Sequence, residues 1–383
     1  MTHAAALIVF AVSAMFLSSP AAAEGEPRAG LAARSCKMPA PHSIKGVYLP
    51  VPNAENPAVL DRFIALAKQR EINSFVIDVN ESGNFLMEHN RRILRRLHDE
   101  CIWPIARLVA FKADQTWFTD IFNRPLAKNA LPRELLRNQR GEVWRDAGNH
   151  AWLNPFDQMV WKIAVDMAIY AIDLGFMEIQ FDYVRFPTDG RVSEIEFGEP
   201  VSSRVRAETI TAFMDYAQRR IKTERPWAMI AADIFGEAAM VTSSADPTGN
   251  GQNLREILRF VDRIAPMVYP SHWAPGRFGC PIPAECPAKV TRSALAGLVA
   301  YVRQTYPGVQ ICPWLQDFPA RNWRTIKVVP YGPREVRLQI DAAEDLGLRC
   351  WMLWNPKRVN GGNPVLHYSV EALRLRLPAI ASD

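Results

Sequence analysis

Short apolar segments recur along the chain, and each is separated from the next by polar residues and an amphipathic stretch. Segments that are apolar on both faces are typical of strands in a buried parallel sheet. The pattern predicts eight strands, over residues 44–49, 74–80, 104–111, 177–186, 228–235, 263–269, 310–318 and 350–355.

Amphipathic stretches lie between these strands, with apolar residues three and four positions apart, which is the spacing of a helix with one buried face. They cover residues 57–70, 90–100, 156–174, 203–222, 253–260, 287–304 and 333–346. Strands that alternate with helices in this way predict an α/β fold, a (β/α)8 barrel in a single domain. A doubly wound open sheet is the alternative, but no Gly-x-Gly-x-x-Gly turn follows the first strand, as a dinucleotide-binding sheet would require.

Two connections are longer than the rest. Residues 112–153 follow the third strand and carry Trp117, Trp144 and Trp152, and a second long loop covers 270–285 after the sixth strand. Loops that follow the strands of a β/α barrel meet at its C-terminal end, where such proteins build their sites.

The fourth strand is unusually polar for a barrel strand. Glu178, Gln180 and Asp182 share one face, while Met177, Ile179, Phe181 and Tyr183 share the face expected to pack under the helices. Polar side chains inside a barrel need partners or a ligand. Asp182 is nearest the C-terminal end and is expected at the site, whereas Glu178 and Gln180 lie deeper and are expected to be structural.

Other strands also end in carboxylates. Asp233 lies on the fifth strand, and Glu237 shares its face if the extended conformation continues that far. Glycoside hydrolysis needs two carboxyl groups, and neighbouring negative charge raises the pKa of one of them. We therefore predict Asp182 and Asp233 as the catalytic pair, within the separation of roughly 5–5.5 Å that retaining enzymes use.

Each of these acids also has a structural interpretation, because a buried aspartate at a strand end often caps a loop or pairs with an arginine. Arg185 is a possible ion-pair partner of Asp182, and Asp78 is equally suited to hold Arg107 or to bind substrate. Tyr269 and His272 suit sugar hydroxyls, and the tryptophans of the last two strands suit either a sugar ring or the core. The predicted substrate-binding residues are Tyr48, Asp78, Arg107, Lys112, Arg185, Glu237, Tyr269, His272, Trp314, Asp317 and Trp354.

Composition narrows the function classes. The 383 residues are 49% hydrophobic and 22% charged, which is typical of a globular protein. The net charge of +5 is spread along the chain without a basic block, so nucleic acid is not an expected partner. The sequence has no His-x-His or His-Glu-x-x-His zinc motif, no Gly-x-Ser-x-Gly nucleophile turn and no phosphate-binding glycine loop, so neither a metal nor a cofactor is predicted.

The N-terminus predicts export. An apolar run over 7–17 is followed by Ala21-Ala22-Ala23, which indicates a signal peptide over 1–23, a linker over 24–43 and the barrel over 44–378. The mature chain is expected to be secreted or periplasmic, with no membrane-spanning segment and an undetermined oligomeric state. Of the six cysteines, Cys280 and Cys286 flank a short proline-rich loop and are the predicted disulfide.

Several segments resemble a bacterial family of proteins classed as glycoside hydrolases. They include KGVYLPV, FVIDVNESG, GFMEIQFDYVRFPTDG, ADIFG, APMVYPSHW, PWLQDF and WMLWN, and the resemblance runs from about residue 45 to 355. It implies a β/α barrel related to the α-amylase and α-galactosidase groups, with Asp182 at the nucleophile position. The family commonly has Asp-Val-Lys-Asp at the second strand, where this chain has Asp78-Val79-Asn80-Glu81.

The expected function is an exported, retaining glycoside hydrolase that acts on an envelope or extracellular polysaccharide. One alternative is a non-catalytic carbohydrate-binding barrel protein of the cell envelope. Another is a scaffold protein, which would present an open apolar patch instead of a cleft lined by carboxylates.

Overall fold

The computed structural model describes residues 38–113, 134–198, 201–241, 246, 248–321, 328–356 and 368–375, and these belong to one compact unit. The expected signal peptide and Trp117 lie outside the described residues. Within the described ranges, no helix has both the length and the apolar character needed to cross a bilayer.

Eight parallel strands close into a barrel, which confirms the predicted fold class. Each strand pairs with the next along the chain, and the eighth pairs with the first. The strands are β1 (Lys45–Leu49), β2 (Ser74–Asp78), β3 (Trp103–Val109), β4 (Glu178–Asp182), β5 (Met229–Phe235), β6 (Arg263–Met267), β7 (Trp314–Gln316) and β8 (Trp351–Trp354).

The seventh strand is interrupted, although the pattern predicts one strand over 310–318. Gln310–Ile311 pairs with β6, and β7 resumes the pairing at Trp314. Pro313 lies between the two pieces and has no N–H to contribute to the ladder.

Helices lie between the barrel strands, as predicted. Side-chain oxygens of Asn56, Asp157 and Ser202 cap three of them by accepting backbone N–H groups. The helices are α1 (Pro57–Gln69), α2 (Arg91–Asp99), α3 (Gln158–Leu174), α4 (Ser203–Glu224), α5 (Leu254–Ile257), α6 (Pro287–Thr305) and α7 (Pro333–Asp345). Their apolar faces pack on the outside of the barrel.

The loop after β3 is anchored by two short antiparallel pairings. Lys112–Ala113 pairs with Ala151–Trp152, and Arg137–Asn138 pairs with Ile195–Glu196. The first pairing holds Lys112 and Trp152 at the C-terminal end of the barrel.

The N-terminal end of the barrel lumen is closed by a buried ion pair. The Nε of Arg263 lies 2.8 Å from the Oε1 of Glu178, and neither side chain is exposed. Trp103 donates a hydrogen bond to Glu178 as well. This network gives Glu178 the structural role expected from its depth in the strand.

The predicted disulfide between Cys280 and Cys286 is wrong, because both residues have free thiols. The loop does bring them together, since their side chains form a hydrogen bond. A disulfide that was not predicted joins Cys312 to Cys350. Those residues precede β7 and β8, whose register pairs Trp314 with Met352, so two residues earlier the cysteines lie opposite each other.

Candidate active site

A cavity of about 580 Å³ opens at the C-terminal end of the barrel. Six strand ends and the loops that follow them supply its wall. The lining residues include Arg107, Asp182, Tyr183, Arg185, Asp189, Asp233, Phe235, Glu237, Tyr269, His272, Trp273, Trp314 and Trp354.

Asp182 lies in this cavity and is held by Arg107. The Oδ2 atom of Asp182 accepts hydrogen bonds from Nε of Arg107, at 2.9 Å, and from Nη2. Its Oδ1 atom accepts the backbone N–H of Tyr183 at 2.6 Å. Arg185 is therefore not the ion-pair partner of Asp182, because Arg107 takes that place from β3, where it lies opposite Gln180 in the strand register.

The guanidinium of Arg107 serves three carboxylates. Besides Asp182, its Nη1 atom donates to Asp78 and, at 2.7 Å, to Glu81. Burial lowers the pKa of Arg107, but these negative charges raise it more, so its pKa lies well above the usual value. Arg107 is a permanent positive charge at the centre of the acidic site.

Asp233 is almost fully buried beside this charged group. Its Oδ1 atom accepts a hydrogen bond from Nε1 of Trp314 at 2.9 Å. Burial, and then the charge of Asp182, raise the pKa of Asp233 well above its usual value, against the opposing effects of Arg107 and Trp314. The site therefore holds an acid with a raised pKa next to an ion-paired carboxylate.

The strand register places the two acids side by side. Phe181 on β4 pairs with Ala232 on β5, and Asp182 and Asp233 each follow by one residue. Neighbouring strands are about 4.8 Å apart, so the two side chains leave the sheet at adjacent points of the same rim.

The chain turns sharply after Asp182, where the sequence predicts that the strand continues to residue 186. Tyr183 has a positive φ of 49°, a left-handed conformation that is rare for a bulky residue. Its ring therefore lines the cavity instead of packing under the helices, and its hydroxyl accepts a hydrogen bond from Lys112 at 3.2 Å. No glycine or asparagine marks this turn in the sequence.

Arg185 also faces the cavity, but without a carboxylate. Its guanidinium carbon lies 4.6, 4.9 and 5.0 Å from the ring centres of Phe235, Tyr183 and Trp152. Nη1 donates to the carbonyl of Phe186 at 3.0 Å and to Thr188 at 3.3 Å. Burial lowers the pKa of Arg185 from its usual value.

A smaller cavity of about 250 Å³ adjoins the first and shares Arg107, Tyr183 and Trp354 with it. Its acidic residues are Asp78, whose Oδ2 accepts from the hydroxyl of Tyr48, and Glu81. The pattern does not single out Glu81, although it stands at the last position of the family's second-strand motif.

Burial and charge shift the pKa values of these two acids in opposite directions. Burial raises the pKa of Asp78 from its usual value despite Arg107. Burial also raises that of Glu81, but Arg107 and Lys112 outweigh it and lower the pKa to about 2. Lys112 thus pairs with Glu81, at 2.8 Å. Asn80, which replaces the family's lysine, instead exchanges two hydrogen bonds with the backbone of Val109.

Aromatic side chains form the opposite wall. Tyr269 is buried and its ring centre lies 5.2 Å from that of His272, whose pKa is lowered by removal from solvent. Trp354 is partly exposed and stacks on Tyr48, with ring centres 4.1 Å apart. Trp314 is buried and donates its N–H to Asp233. Trp354 is therefore better placed than Trp314 to stack on a sugar ring.

Two acids predicted at the site, Glu237 and Asp317, do not have the surroundings that the sequence pattern predicts. The extended conformation ends at Phe235, so Glu237 lies in a short helix, Gly236–Ala239, yet still lines the cavity. A side chain at residue 236 would come within 2.7 Å of the carbonyl of Met267, which only glycine avoids. Asp317 lines neither cavity, and its two oxygens accept hydrogen bonds from the N–H and hydroxyl of Ser369.

The described residues contain no cluster of three histidine, cysteine or acidic side chains that could hold a metal ion. What they bring together is an acid with a raised pKa, an ion-paired carboxylate and several aromatic side chains in one cavity. Such a set of groups is suited to transferring a proton to an oxygen atom of a substrate bound between the two acids.

Comparison with known proteins identifies the family of the chain. A family model described as "Putative glycosyl hydrolase domain" matches residues 46–359, which is more than half of the chain. The chain belongs to this family. No protein with a curated description matches it.

Two solved structures with TM-scores above 0.5 share the barrel. The glycoside hydrolase domain of PgaB (BpsB) from Bordetella bronchiseptica is 13% identical, with 82% of this chain and 94% of that chain covered and a TM-score of 0.55. A β-galactosidase from the Antarctic haloarchaeon Halorubrum lacusprofundi is also 13% identical, with coverages of 85% and 55% and a TM-score of 0.58. A hypothetical protein from Ruminiclostridium thermocellum is 26% identical, with coverages of 49% and 96% and a TM-score of 0.38.

Proposed function

We propose that this glycosyl hydrolase family member is an exported enzyme that cleaves glycosidic bonds in an envelope or extracellular polysaccharide. The observation that carries the proposal is that Asp233, whose pKa is raised by burial, lies next to the ion-paired Asp182 in one cavity. Export is supported by the N-terminal apolar run and by the disulfide between Cys312 and Cys350, a bond that persists in oxidising compartments.

In the proposed reaction, Asp233 is the general acid. Its proton passes to the glycosidic oxygen as the bond from that oxygen to the anomeric carbon breaks. A carboxyl group can do this near neutral pH only if its pKa is raised, and burial beside Asp182 supplies that condition.

Asp182 is the proposed nucleophile. One of its oxygens forms a bond to the anomeric carbon, and water later breaks that bond while Asp233 takes the water's proton. The adjacent positions on β4 and β5 favour the short carboxyl separation of a retaining enzyme. Arg107 keeps Asp182 oriented.

The alternative is a barrel that binds a glycan without cleaving it. It is favoured by one observation, that both oxygens of Asp182 are occupied, one by Arg107 and the other by the N–H of Tyr183. For catalysis, the substrate must compete with these hydrogen bonds.

The experiment is a turnover screen on a glycan panel with the wild-type chain and the Asp182→Asn, Asp233→Asn and Glu178→Gln variants. Glu178→Gln is the matched control, because it removes an acid from the same strand at the opposite end of the barrel. We expect new reducing ends with the wild type and the control, and none with Asp182→Asn.

Chemical rescue separates the two roles. Azide added to Asp182→Gly should attack from the vacated side and yield a glycosyl azide of inverted configuration, whereas Asp233→Gly should yield the retained one. Turnover that survives both asparagine substitutions would contradict the proposed pair, and glycan binding without turnover would favour the alternative.

A further inference from the structure

We propose that Arg185 forms a subsite for an acidic group of the substrate, so that the glycan bound in this cavity carries carboxylates, as uronic acid residues do. The inference rests on the proposed function only in that the same cavity binds a glycan. It goes further by naming the chemical class of that glycan.

The first observation is that Arg185 is buried without a counterion. Its side chain is 8% exposed, and among the described residues no carboxylate comes within ion-pair distance. Taking a charge out of water is costly unless an opposite charge compensates for it. A bound anion would provide that compensation.

The second observation is the contrast with the other buried arginines in the described part of the chain. Arg107 contacts three carboxylates, and Arg263 pairs with Glu178. The fold therefore supplies carboxylates to Arg107 and Arg263 but not to Arg185, although Arg185 lines the same large cavity as Arg107.

The third observation is that the guanidinium of Arg185 is already oriented. Three aromatic rings surround it, and Nη1 is held by the carbonyl of Phe186 and by Thr188. Nε and Nη2 make no hydrogen bond to any described residue. A planar fork with free donors matches the two oxygens of a carboxylate.

Nearby acids do not remove the need for an anion. Asp182, Asp189 and Asp146 interact with Arg185 electrostatically. Asp182 is committed to Arg107, Asp189 is an exposed residue at the rim, and the carboxylate of Asp146 accepts hydrogen bonds from Trp152 and His150. The net charge of +5 also favours encounter with a polyanion over encounter with a polycation.

The test measures binding to an inactive form, so that turnover does not interfere. In the Asp233→Asn background, Arg185→Gln, Arg185→Lys and Arg206→Gln are compared by calorimetry. Arg206 is the matched control, because it also stacks on a ring, that of Phe186, and does not line the cavity. The probes are oligosaccharides of galacturonate, alginate and hyaluronan, their carboxyl-reduced forms, and glucosamine oligosaccharides.

We expect at least one acidic oligosaccharide to bind more tightly than its carboxyl-reduced form, with affinity falling as salt rises. Arg185→Gln should weaken that binding by about ten- to a hundredfold, the effect of losing a hydrogen bond to a charged group, and should change binding of the reduced form little. Arg185→Lys should recover part of the loss, and Arg206→Gln should have no effect.

Several results would overturn the subsite. They are the absence of binding by every acidic probe, equal affinity for the reduced forms, a preference for glucosamine oligosaccharides, or an Arg185→Gln variant that binds as the parent does. These results can be distinguished from a failure of the proposed hydrolase function. If a neutral glycan is cleaved and Arg185→Gln does not change that cleavage, the hydrolase function is supported and the acidic subsite is contradicted. If an acidic glycan binds through Arg185 but no glycan is cleaved, the subsite is supported and the hydrolase function is contradicted.

Discussion

The two ends of the barrel lumen each contain an arginine paired with an acidic residue of β4, and only one of these pairs borders a cavity. At the N-terminal end, Arg263 and Glu178 are completely buried and tied to Trp103. At the C-terminal end, Arg107 and Asp182 line the large cavity next to Asp233. Polar residues inside a barrel therefore do not form a binding site by themselves. They can contact a substrate only where they border an open cavity.

The difference also concerns how completely each charge is compensated. Among the described residues, Arg263 forms an ion pair with one carboxylate, that of Glu178. Arg107 forms ion pairs with three carboxylates, those of Asp182, Asp78 and Glu81. At the C-terminal end, burial and then the charge of Asp182 raise the pKa of Asp233. The N-terminal pair is enclosed in the barrel, whereas the C-terminal group lies at the cavity where we propose proton transfer.

The largest expected effect is that of Asp233→Asn at the C-terminal end. Removing a general acid typically slows turnover by about 10²–10⁴-fold, and the amide cannot supply the proton. The loss should be measured as kcat on the glycan identified by the screen, with circular dichroism to show that the fold is intact. Full activity of the folded variant would place the acid elsewhere.

Glu178→Gln at the N-terminal end should act on stability instead. The substitution leaves Arg263 buried without a charge partner, which is expected to lower the free energy of unfolding by about 3–5 kcal/mol. Urea denaturation measures this, and turnover per folded molecule should stay unchanged. Asp182→Asn should be less destabilising, because Arg107 keeps Asp78 and Glu81; the reverse order would refute the division between the two ends.

Removing the disulfide should also act on stability alone, because Cys312 and Cys350 lie at the N-terminal ends of β7 and β8. The double serine variant is expected to lose roughly 2–4 kcal/mol of unfolding free energy. Thermal and urea denaturation check this, with Cys280→Ser as the control, since that thiol is free. Equal losses in the two variants would contradict the assigned pairing.

Asp317 allows a pH test of an acid outside the cavities. Burial, opposed by Ser369, raises its pKa to about 6, so the folded state holds its proton more tightly than the unfolded state does. Its contribution to stability is therefore complete below pH about 4 and is lost as pH rises through 6, a change of roughly 2–3 kcal/mol. Asp317→Asn should flatten the dependence of unfolding free energy on pH over this range, and an unchanged slope would contradict it.

The smallest expected effect is a shift in the pH dependence of turnover, which substitution of Trp314 should cause and substitution of Trp351 on the neighbouring strand should not. The N–H of Trp314 stabilises the ionised form of Asp233, so Trp314→Phe should raise the pKa of Asp233 further. The alkaline limb of the pH–rate profile should then move upward by about one pH unit. Trp351→Phe is the control, because the Nε1 atom of Trp351 has no hydrogen-bond partner; a shift in both variants or in neither would argue against Asp233 as the acid.

Most of the barrel was predictable because its apolar periodicity is local. Strand and helix positions agree with the structure, and the alternation of faces on β4 correctly directs Asp182 toward the interior. The turn at Tyr183 was not predictable, because tertiary packing holds a bulky residue in a conformation that its own sequence disfavours. The same turn moves Tyr183 and Arg185 into the cavity wall.

The sequence pattern also did not predict which residues form ion pairs and disulfides with each other. Arg107 is 75 residues from Asp182 and reaches it through the pairing of β3 with β4, while the nearby Arg185 does not contact it. Cys312 and Cys350 are 38 residues apart and meet through the pairing of β7 with β8, whereas the closely spaced Cys280 and Cys286 remain thiols.

The sequence by itself therefore determined the barrel, the strand ends that carry acids and the direction in which Asp182 points. These depend on periodicity along the chain, which each segment contains in full. Only the tertiary structure decided which guanidinium neutralises which carboxylate, that the pKa of Asp233 is raised, and that Arg185 has no counterion among the described residues. Those properties depend on burial and on distances between strands, which arise only when the barrel closes.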